Sequence, residues 1–328
     1  MDVNDKIRPI YLMKILKERT DGNHYLSTNE LCDILSNEFH IDTYRTTIKG
    51  DIELLQKAGI GIHSIRSSQN LYSYIDREFE DYEIKLLIDA VESCKFITND
   101  MCEELVSKIV SLAGTNKARE FKRNLIVDGR IKNKNDHIYF ILDTLNDAIN
   151  QKRKVRFQKK DYNNKKKLVL HNKGEQYIFS PYSLVWDGDL YYVVGYSEKH
   201  KSIGSHRLDR IADTPEILDE GITLPTDDFD INKYLNTMFH MYNAPIKQVE
   251  LVCYNGVMNA VVDKFGADIS VNSYDKDKFS VIVEVAVGTV FFNWVFGFDG
   301  AIRIKSPDEV KEQYKQKVIS AIEFLDWI

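Results

Sequence analysis

Apolar residues recur along the first part of the chain at the three-and-four spacing of helices. Ile7, Ile10, Tyr11, Met13 and Leu16 share one stripe, which predicts a helix over residues 6–18. Asp21-Gly22-Asn23 breaks it. Ser27-Thr28-Asn29-Glu30 then reads as a capping box: the serine hydroxyl accepts a free backbone N–H, and the acid three residues on reaches back. The helix it opens carries Leu31, Ile34, Leu35 and Phe39. After His40–Asp42 a third helix, from Thr43, aligns Ile48, Ile52 and Leu55, and Ala58-Gly59 ends it. Ile60–Ile65 and Leu71–Ile75, on either side of Arg66–Asn70, predict two short strands.

Three short helices followed by a hairpin make a winged helix-turn-helix. With Ile48, Ile52 and Leu55 turned inward, Tyr44 and Thr47 face out at the start of the third helix, with Arg45, Thr46 and Lys49 beside them. Hydroxyls, cations and free N–H groups in that position reach phosphates and base edges in a major groove. Arg66 would add a cation from the wing. The plainer reading is that Arg45 and Lys49 are solvated helix charges.

Residues 77–138 read as helical. Tyr82, Leu86, Ile88 and Val91 fit one amphipathic helix, and Cys102, Leu105, Val106, Ile109 and Leu112 fit another that ends at Gly114. Tyr139–Asn150 predicts a further helix with Ile141, Leu142, Leu145 and Ile149 inward.

The pattern then changes to the period of two. Gln151–Phe157 is a basic strand in which Val155 and Phe157 face a core while Lys154 and Arg156 point out. Lys159-Lys160 and Lys165–Lys167 flank a turn at Asp161–Asn164; alone the run is most simply a solvated hairpin tip, and beside Arg207 and Arg210 in a barrel it would join an electropositive face. Tyr177–Tyr182 supplies another strand, and Pro181 puts it at a sheet edge or a strand end. Leu184–Trp186 and Tyr191–Tyr196 are apolar runs split by Asp187-Gly188-Asp189, a strong hairpin signal because glycine tolerates the positive φ of a tight turn. A polar break, Glu198–Gly204, precedes a third strand near Ser205–Arg210. There Leu208 points one way and Arg207 and Asp209 the other. Arginine on a sheet face beside aromatics suits a phosphate or a nucleotide.

Asp213–Asp230, acidic and holding Pro215 and Pro225, reads as a connector, and Ile231–Tyr242 as a short helical crossing. Strands are predicted at Gln248–Cys253, Phe279–Val287 and Ala301–Ile304. Helices are predicted at Val257–Phe265, at Val290–Phe298 and from Ser306-Pro307-Asp308-Glu309 onward. That order implies a small α+β unit. Its Phe292 and Trp294 are most simply core.

Composition changes this picture in one respect. The 328 residues carry a net charge of −6, and the balance is uneven: −2 over residues 1–76, −1 over 77–138, +6 over 139–211 and −9 over 212–328. Polyanions are therefore attracted locally, at the middle. No apolar run reaches the roughly 18 residues of a membrane span, and the N-terminus lacks the pattern of a signal peptide. Cys32, Cys94, Cys102 and Cys253 form no C-x-x-C pair, which favours packed, reduced thiols in a cytoplasm. Nucleotide-binding glycine loops, H-E-x-x-H and G-x-S-x-G are all missing, so catalysis is not expected. His200 and His206 with Asp187, Asp189 and Asp209 are the nearest approach to a metal cluster, and turn geometry explains the Asp-Gly-Asp without one.

The stretch Ser180-Pro181-Tyr182, Tyr191-Tyr192-Val193, Gly195-Tyr196 and His206-Arg207-Leu208-Asp209-Arg210-Ile211 resembles the WYL domain. Tyr191 and Val193 replace the family's Trp and Leu, keeping an aromatic and an apolar residue. Leu26–Leu31 and Arg45–Ile52 resemble the helix-turn-helix that usually precedes such a domain, although Gly50 stands where the family has a basic residue. Phe292, Trp294, Gly297 and Ser306–Glu309 resemble its C-terminal extension. The resemblance implies an Sm-like β-barrel that binds nucleic acid or nucleotides and regulates an attached DNA-binding domain, with dimerisation through the extension.

The expected protein is thus multidomain α+β. A winged helix-turn-helix at 1–76 is followed by a helical linker at 77–138, a WYL-like barrel at 139–220, a connector at 221–245 and an α+β extension at 246–328. Tyr44, Arg45, Thr46, Thr47, Lys49 and Arg66 contact an operator. Arg156, Tyr182, Tyr192, His206, Arg207 and Arg210 form the effector face. The expected protein is a homodimeric, cytoplasmic DNA-binding transcription regulator with no cofactor and no metal. The rival is a single-stranded nucleic-acid binding module whose helix-turn-helix contacts protein.

Overall fold

The computed structural model describes residues 3–66, 68–123, 132–133, 135–226 and 229–325. The fold mixes helices with several antiparallel sheets, as a multidomain α+β protein does. It divides into two compact units, Met1–Lys134 and Asn135–Ile328.

The first unit opens with α1 (Val3–Arg19), a two-residue strand β1 (Leu26–Ser27), α2 (Thr28–Phe39) and α3 (Arg45–Lys57). The capping box forms: Glu30 N–H donates to Ser27 Oγ at 3.2 Å and Ser27 N–H to Glu30 Oε2 at 2.7 Å. The hairpin strands β2 (Ile62–Ile65) and β3 (Leu71–Tyr74) pair, and β1 joins the far side of β3. Leu12, Leu16, Leu31, Leu35, Ile48 and Ile52 fill the core. A buried ion pair crosses it: Arg8 Nε lies 2.6 Å from Asp51 Oδ2, joining α1 to α3. Hydrophobic spacing carries no sign of such a pair.

Helices α4 (Asp81–Ser93), α5 (Asn99–Ser111) and α6 (Thr115–Arg123) follow, and residues 124–131 of the linker lie outside the described residues. The phase of α4 differs from the sequence reading. Ile84 and Ile88 are buried against Val106 and Val110 of α5, while Tyr82 and Leu86 are exposed. Arg77 binds this bundle to the first helices: its Nη2 donates to the Thr20 carbonyl at 2.5 Å, and Gly114, at φ +80°, leaves room for it.

The second unit begins with α7 (Ile138–Gln151), whose Ile138, Ile141, Leu145 and Ala148 are buried. Strands β4 (Arg153–Gln158), β5 (Lys160–Tyr162), β6 (Leu168–Leu170), β7 (Gln176–Asp187), β8 (Leu190–Ser197), β9 (Ser202–Arg207) and β10 (Glu216–Gly221) follow. Five of them form one antiparallel sheet in the order β10-β4-β7-β8-β9. Just beyond β9, Ile211 bridges back to Lys159 beside β4, and Ala212 N–H donates to the Gln158 carbonyl at 2.9 Å. The sheet thereby curls towards its own first strand. One face holds Val155, Phe157, Tyr177, Phe179 and Val193, all buried.

Three expectations are corrected here. The runs Tyr177–Tyr182 and Leu184–Trp186 are one strand, β7, and Pro181 sits inside it, paired with Gly195 of β8 beyond the last β4 pair at Phe179; a register shift follows between Pro181 and Ser183. The strand predicted at Ser205–Arg210 starts three residues earlier, and Leu208–Arg210 is a 3-10 turn that buries Leu208. Part of the acidic connector is the strand β10, paired with basic β4. The expected β7–β8 hairpin is present, with φ +53° at Gly188 and +72° at Asp189, the pattern of a type I′ turn. Gly195 is obligatory, because a Cβ there would come within 2.1 Å of the Ser180 carbonyl oxygen.

The chain continues through α8 (Ile231–Thr237), β11 (Ile246–Tyr254), α9 (Met258–Phe265), β12 (Val271–Asp275), β13 (Lys278–Ala286), α10 (Thr289–Phe296), β14 (Ile302–Ser306) and α11 (Asp308–Leu325). The sheet order is β12-β13-β11-β14. Strand β12 went unread because it is an edge strand exposed at every position, with no apolar alternation to betray it. Phe291, Phe292 and Val295 are core, with Trp294 packed against them.

Candidate nucleic-acid interfaces

The first candidate surface is the exposed start of α3. Burying Ile48, Ile52 and Leu55 fixes the rotation of the helix. Tyr44, Arg45, Thr46 and Lys49 are then exposed and Thr47 half-buried. Tyr44 caps the helix in an extended conformation without a side-chain bond, so N–H groups of the first turn remain available to an anion. Lys49 and Arg66 line a common cleft of about 250 Å³ with Gln56, Ser64 and Asn70. Helix and hairpin therefore offer cations to one groove. Gln56, which spacing did not single out, donates to the Ile62 carbonyl at 2.8 Å and holds the hairpin against α3.

The second candidate surface is the five-stranded sheet, and here the structure scatters the expected effector residues. Tyr192 is buried with Val194, Tyr234, Met238, Met241 and Ala286, so it is core and not an open contact. The sequence treated 231–242 as a crossing; in fact that segment lies on the sheet. Asn243 completes the cover by bonding the edge of β9 as a strand would: it accepts from Ser205 N–H at 3.1 Å and donates to the Ser205 carbonyl at 3.1 Å.

His206 lies on the opposite face from Tyr192, because it pairs with Val193 in the register of β8 and β9. Its ring meets Phe179 at 4.9 Å, Phe157 at 5.3 Å and Tyr177 at 5.9 Å. Burial, helped by the charge of Lys159, depresses its pKa to about 3, so it is neutral at pH 7. Tyr182 donates to the Thr223 carbonyl at 2.7 Å and rests on Phe229. Arg156 is exposed but paired with Glu216 of β10 at 2.6 Å. On the same two strands Arg153 meets Asp219, and Lys154 meets Glu220. The basic strand is therefore neutralised within its own sheet, which charge counting by sequence segment did not foresee.

Arg207 is held by Asp209 through two bonds, Nε to Oδ1 at 2.9 Å and Nη2 to Oδ2 at 2.7 Å. The hydrogen bond to Asp209 raises the arginine pKa. Arg210 lies 3.9 Å from the same carboxylate and 5.0 Å over the exposed ring of Tyr162. Burial lowers the pKa of Lys160, opposed by the charges of Asp213 and Asp209 and helped by Arg210. Three cations thus gather near Asp209, with Asp213 a second carboxylate beside Lys160, next to an exposed aromatic. Lys160 belongs to the lysine run read as joining an electropositive face with Arg207 and Arg210, whereas Tyr162 was missed because it lies in what read as the turn of that hairpin.

Residues 141–215 match the family model of the WYL domain. Over that stretch the chain is similar to a WYL domain. The match spans most of α7, the six strands β4 to β9 and the Arg207–Arg210 cluster, and ends just before β10. A solved structure, proteasome accessory factor B/C (PafBC) of Arthrobacter aurescens, aligns with 99% of this chain and 48% of its own, at 14% identity and a TM-score of 0.30. The chain spans about half the length of that protein. No curated protein matches it. Among the described residues no helix is long and apolar enough to cross a membrane, and no group of three or more His, Cys, Asp and Glu is placed to hold a metal ion.

Proposed function

We propose that this WYL-domain protein is a non-enzymatic, cytoplasmic regulator of transcription. In this reading it binds an operator as a homodimer through a winged helix-turn-helix and is tuned by a nucleic-acid or nucleotide ligand on an Sm-like barrel. The observation that carries the reading is the joint exposure of Tyr44, Arg45, Thr46 and Lys49, with Lys49 sharing a cleft with Arg66 of the hairpin. A recognition helix and a wing that present cations to one groove suit a duplex. The strand order, with a 3-10 turn before the last strand, supports the barrel.

The effector surface in this proposal is Lys160, Tyr162, Arg207 and Arg210 rather than the wider set read from sequence. Tyr162 stacks a base and the cations take phosphates. A phosphate must displace Asp209 from Arg207, so the carboxylate sets a threshold that only a multiply charged ligand overcomes. The ligand acts by favouring one arrangement of the two DNA readers over another. Sequencing the genomic fragments retained by the full-length protein, with and without a short single-stranded oligonucleotide, tests this. Enrichment of one inverted repeat, altered by the oligonucleotide, is expected. Retention without sequence preference overturns the regulator reading in favour of a general single-strand binder.

A further inference from the structure

A second cavity, of about 260 Å³, lies between the tip of the β7–β8 hairpin and the C-terminal α+β part of the same unit. Val185, Trp186 and Asp187 come from the hairpin, Met238 to Met241 from the segment after α8, Lys264 from α9 and Trp294 from α10. The proposed regulator has no use for this place, which is distinct from the Arg207–Arg210 cluster.

Its chemistry is unusual for a gap between packed elements. Asp187 Oδ2 is buried and has no hydrogen-bond partner. A buried carboxylate oxygen left in that state costs free energy, which a ligand recovers. On another wall Lys264 donates to the Met238 carbonyl at 2.6 Å and lies 4.1 Å over the Phe239 ring. Burial lowers the lysine pKa, and the charge of Asp187 partly restores it. The two charges therefore sense one another, yet the ammonium leaves Asp187 Oδ2 unpaired. In the same lining, His240 and Met241 both adopt positive φ, +48° and +53°, a left-handed pair in residues that rarely take it. Such strain is retained where the surroundings over-determine it, often around a ligand.

We propose that this cavity binds a small zwitterion of the free amino-acid type, its ammonium on Asp187 and its carboxylate on Lys264. A simple anion would face the unpaired carboxylate, and a simple cation would face the lysine. Only a molecule carrying both charges meets each with its opposite. The aromatic walls, Trp186, Phe239 and Trp294, receive the apolar remainder and add attraction for the ammonium. The volume is below that of pockets for drug-sized ligands, which limits the occupant to a small molecule. Because hairpin, α9 and α10 each contribute, an occupant ties the WYL sheet to the C-terminal part.

The test is tryptophan fluorescence of the full chain in a Trp327→Phe background, which leaves Trp186 and Trp294 as reporters. The twenty common L-amino acids are titrated singly to about 10 mM, with ethylamine and acetate as single-charge probes. At least one amino acid is expected to give a saturable change that neither single-charge probe reproduces. Asp187→Asn and Lys264→Gln should each weaken it by about tenfold or more. Thermal unfolding of both variants checks that they fold; if either fails, chemical-shift mapping of the amino acid on the wild type locates the site instead, and shifts away from Asp187 and Lys264 overturn the proposal. It is likewise overturned if no amino acid gives a saturable change, if ethylamine or acetate alone matches it, or if both folded variants bind as the wild type does. Operator binding plays no part in this readout, so the result is independent of the regulator reading.

Discussion

Asp209 accepts from Nε and Nη2 of Arg207, at 2.9 and 2.7 Å, and so occupies one edge of the guanidinium assigned to the proposed ligand surface. The two residues are only two apart, held together because β9 ends at Arg207 and the 3-10 turn swings Asp209 back. A residue pair this close is cheap to form and leaves the guanidinium in a fixed orientation. In the proposed ligand site the pair would act as a gate on a cation, with its strength set by the Asp209 carboxylate.

Removing that carboxylate should open the gate. Asp209→Asn is expected to raise affinity for a fluorescent single-stranded oligonucleotide by about tenfold, the scale of one charge-assisted pair. Arg207→Ala should lower it and abolish any effect of the oligonucleotide on duplex binding. Fluorescence anisotropy measures both. An Asp209→Asn protein that binds no better removes the pair from the ligand site.

The Arg8–Asp51 pair predicts a different kind of loss. Asp51→Ala removes the carboxylate that Arg8 Nε meets at 2.6 Å between α1 and α3, and so destabilises the first unit, by about 1–3 kcal/mol. Urea unfolding should show this as a lower midpoint for the first unit. An unchanged midpoint would mean that the pair adds no net stability.

His206 gives the fold a pH dependence whose sign is fixed. Its pKa is about 3 in the folded chain, below the ordinary value of 6.5. Protons therefore bind the unfolded chain first. The stabilising share is whole above pH 6.5 and is lost as pH falls towards 3. Between pH 6.5 and pH 5 that share amounts to about 2 kcal/mol. His206→Phe, which keeps a ring among Phe157, Tyr177 and Phe179, should flatten the loss of stability over this range, read by denaturant unfolding at each pH. An equal slope in both proteins would show that the imidazole is protonated in the folded state.

The sequence was most informative where a local rule decides the outcome. The Ser27–Glu30 capping box, the Gly188-Asp189 turn and the alternation of Val155 and Phe157 were all legible, because each depends on a few neighbouring side chains. The α3 face was legible for the same reason: once Ile48 and Ile52 are buried, the rotation places Tyr44 and Lys49 outside. What escaped depends on residues far apart. Tyr192 is covered by Tyr234 and Met238, forty residues on and more, so its triplet cannot show that it is core. Glu216 answers Arg156 across 60 residues, and no count of charge by segment detects that pairing. His206 looked like a contact because its neighbour is arginine; the register with Val193 turns it to the other face.

Duplex binding by the α3 surface is tested most directly by its salt dependence. The logarithm of affinity for operator-length duplex, plotted against the logarithm of salt, should fall less steeply in Arg45→Ala, Lys49→Ala and Arg66→Ala, by about one unit for each phosphate no longer neutralised. Slopes equal to the wild type's in all three variants would contradict the account, and would place duplex binding elsewhere on the protein or nowhere at all.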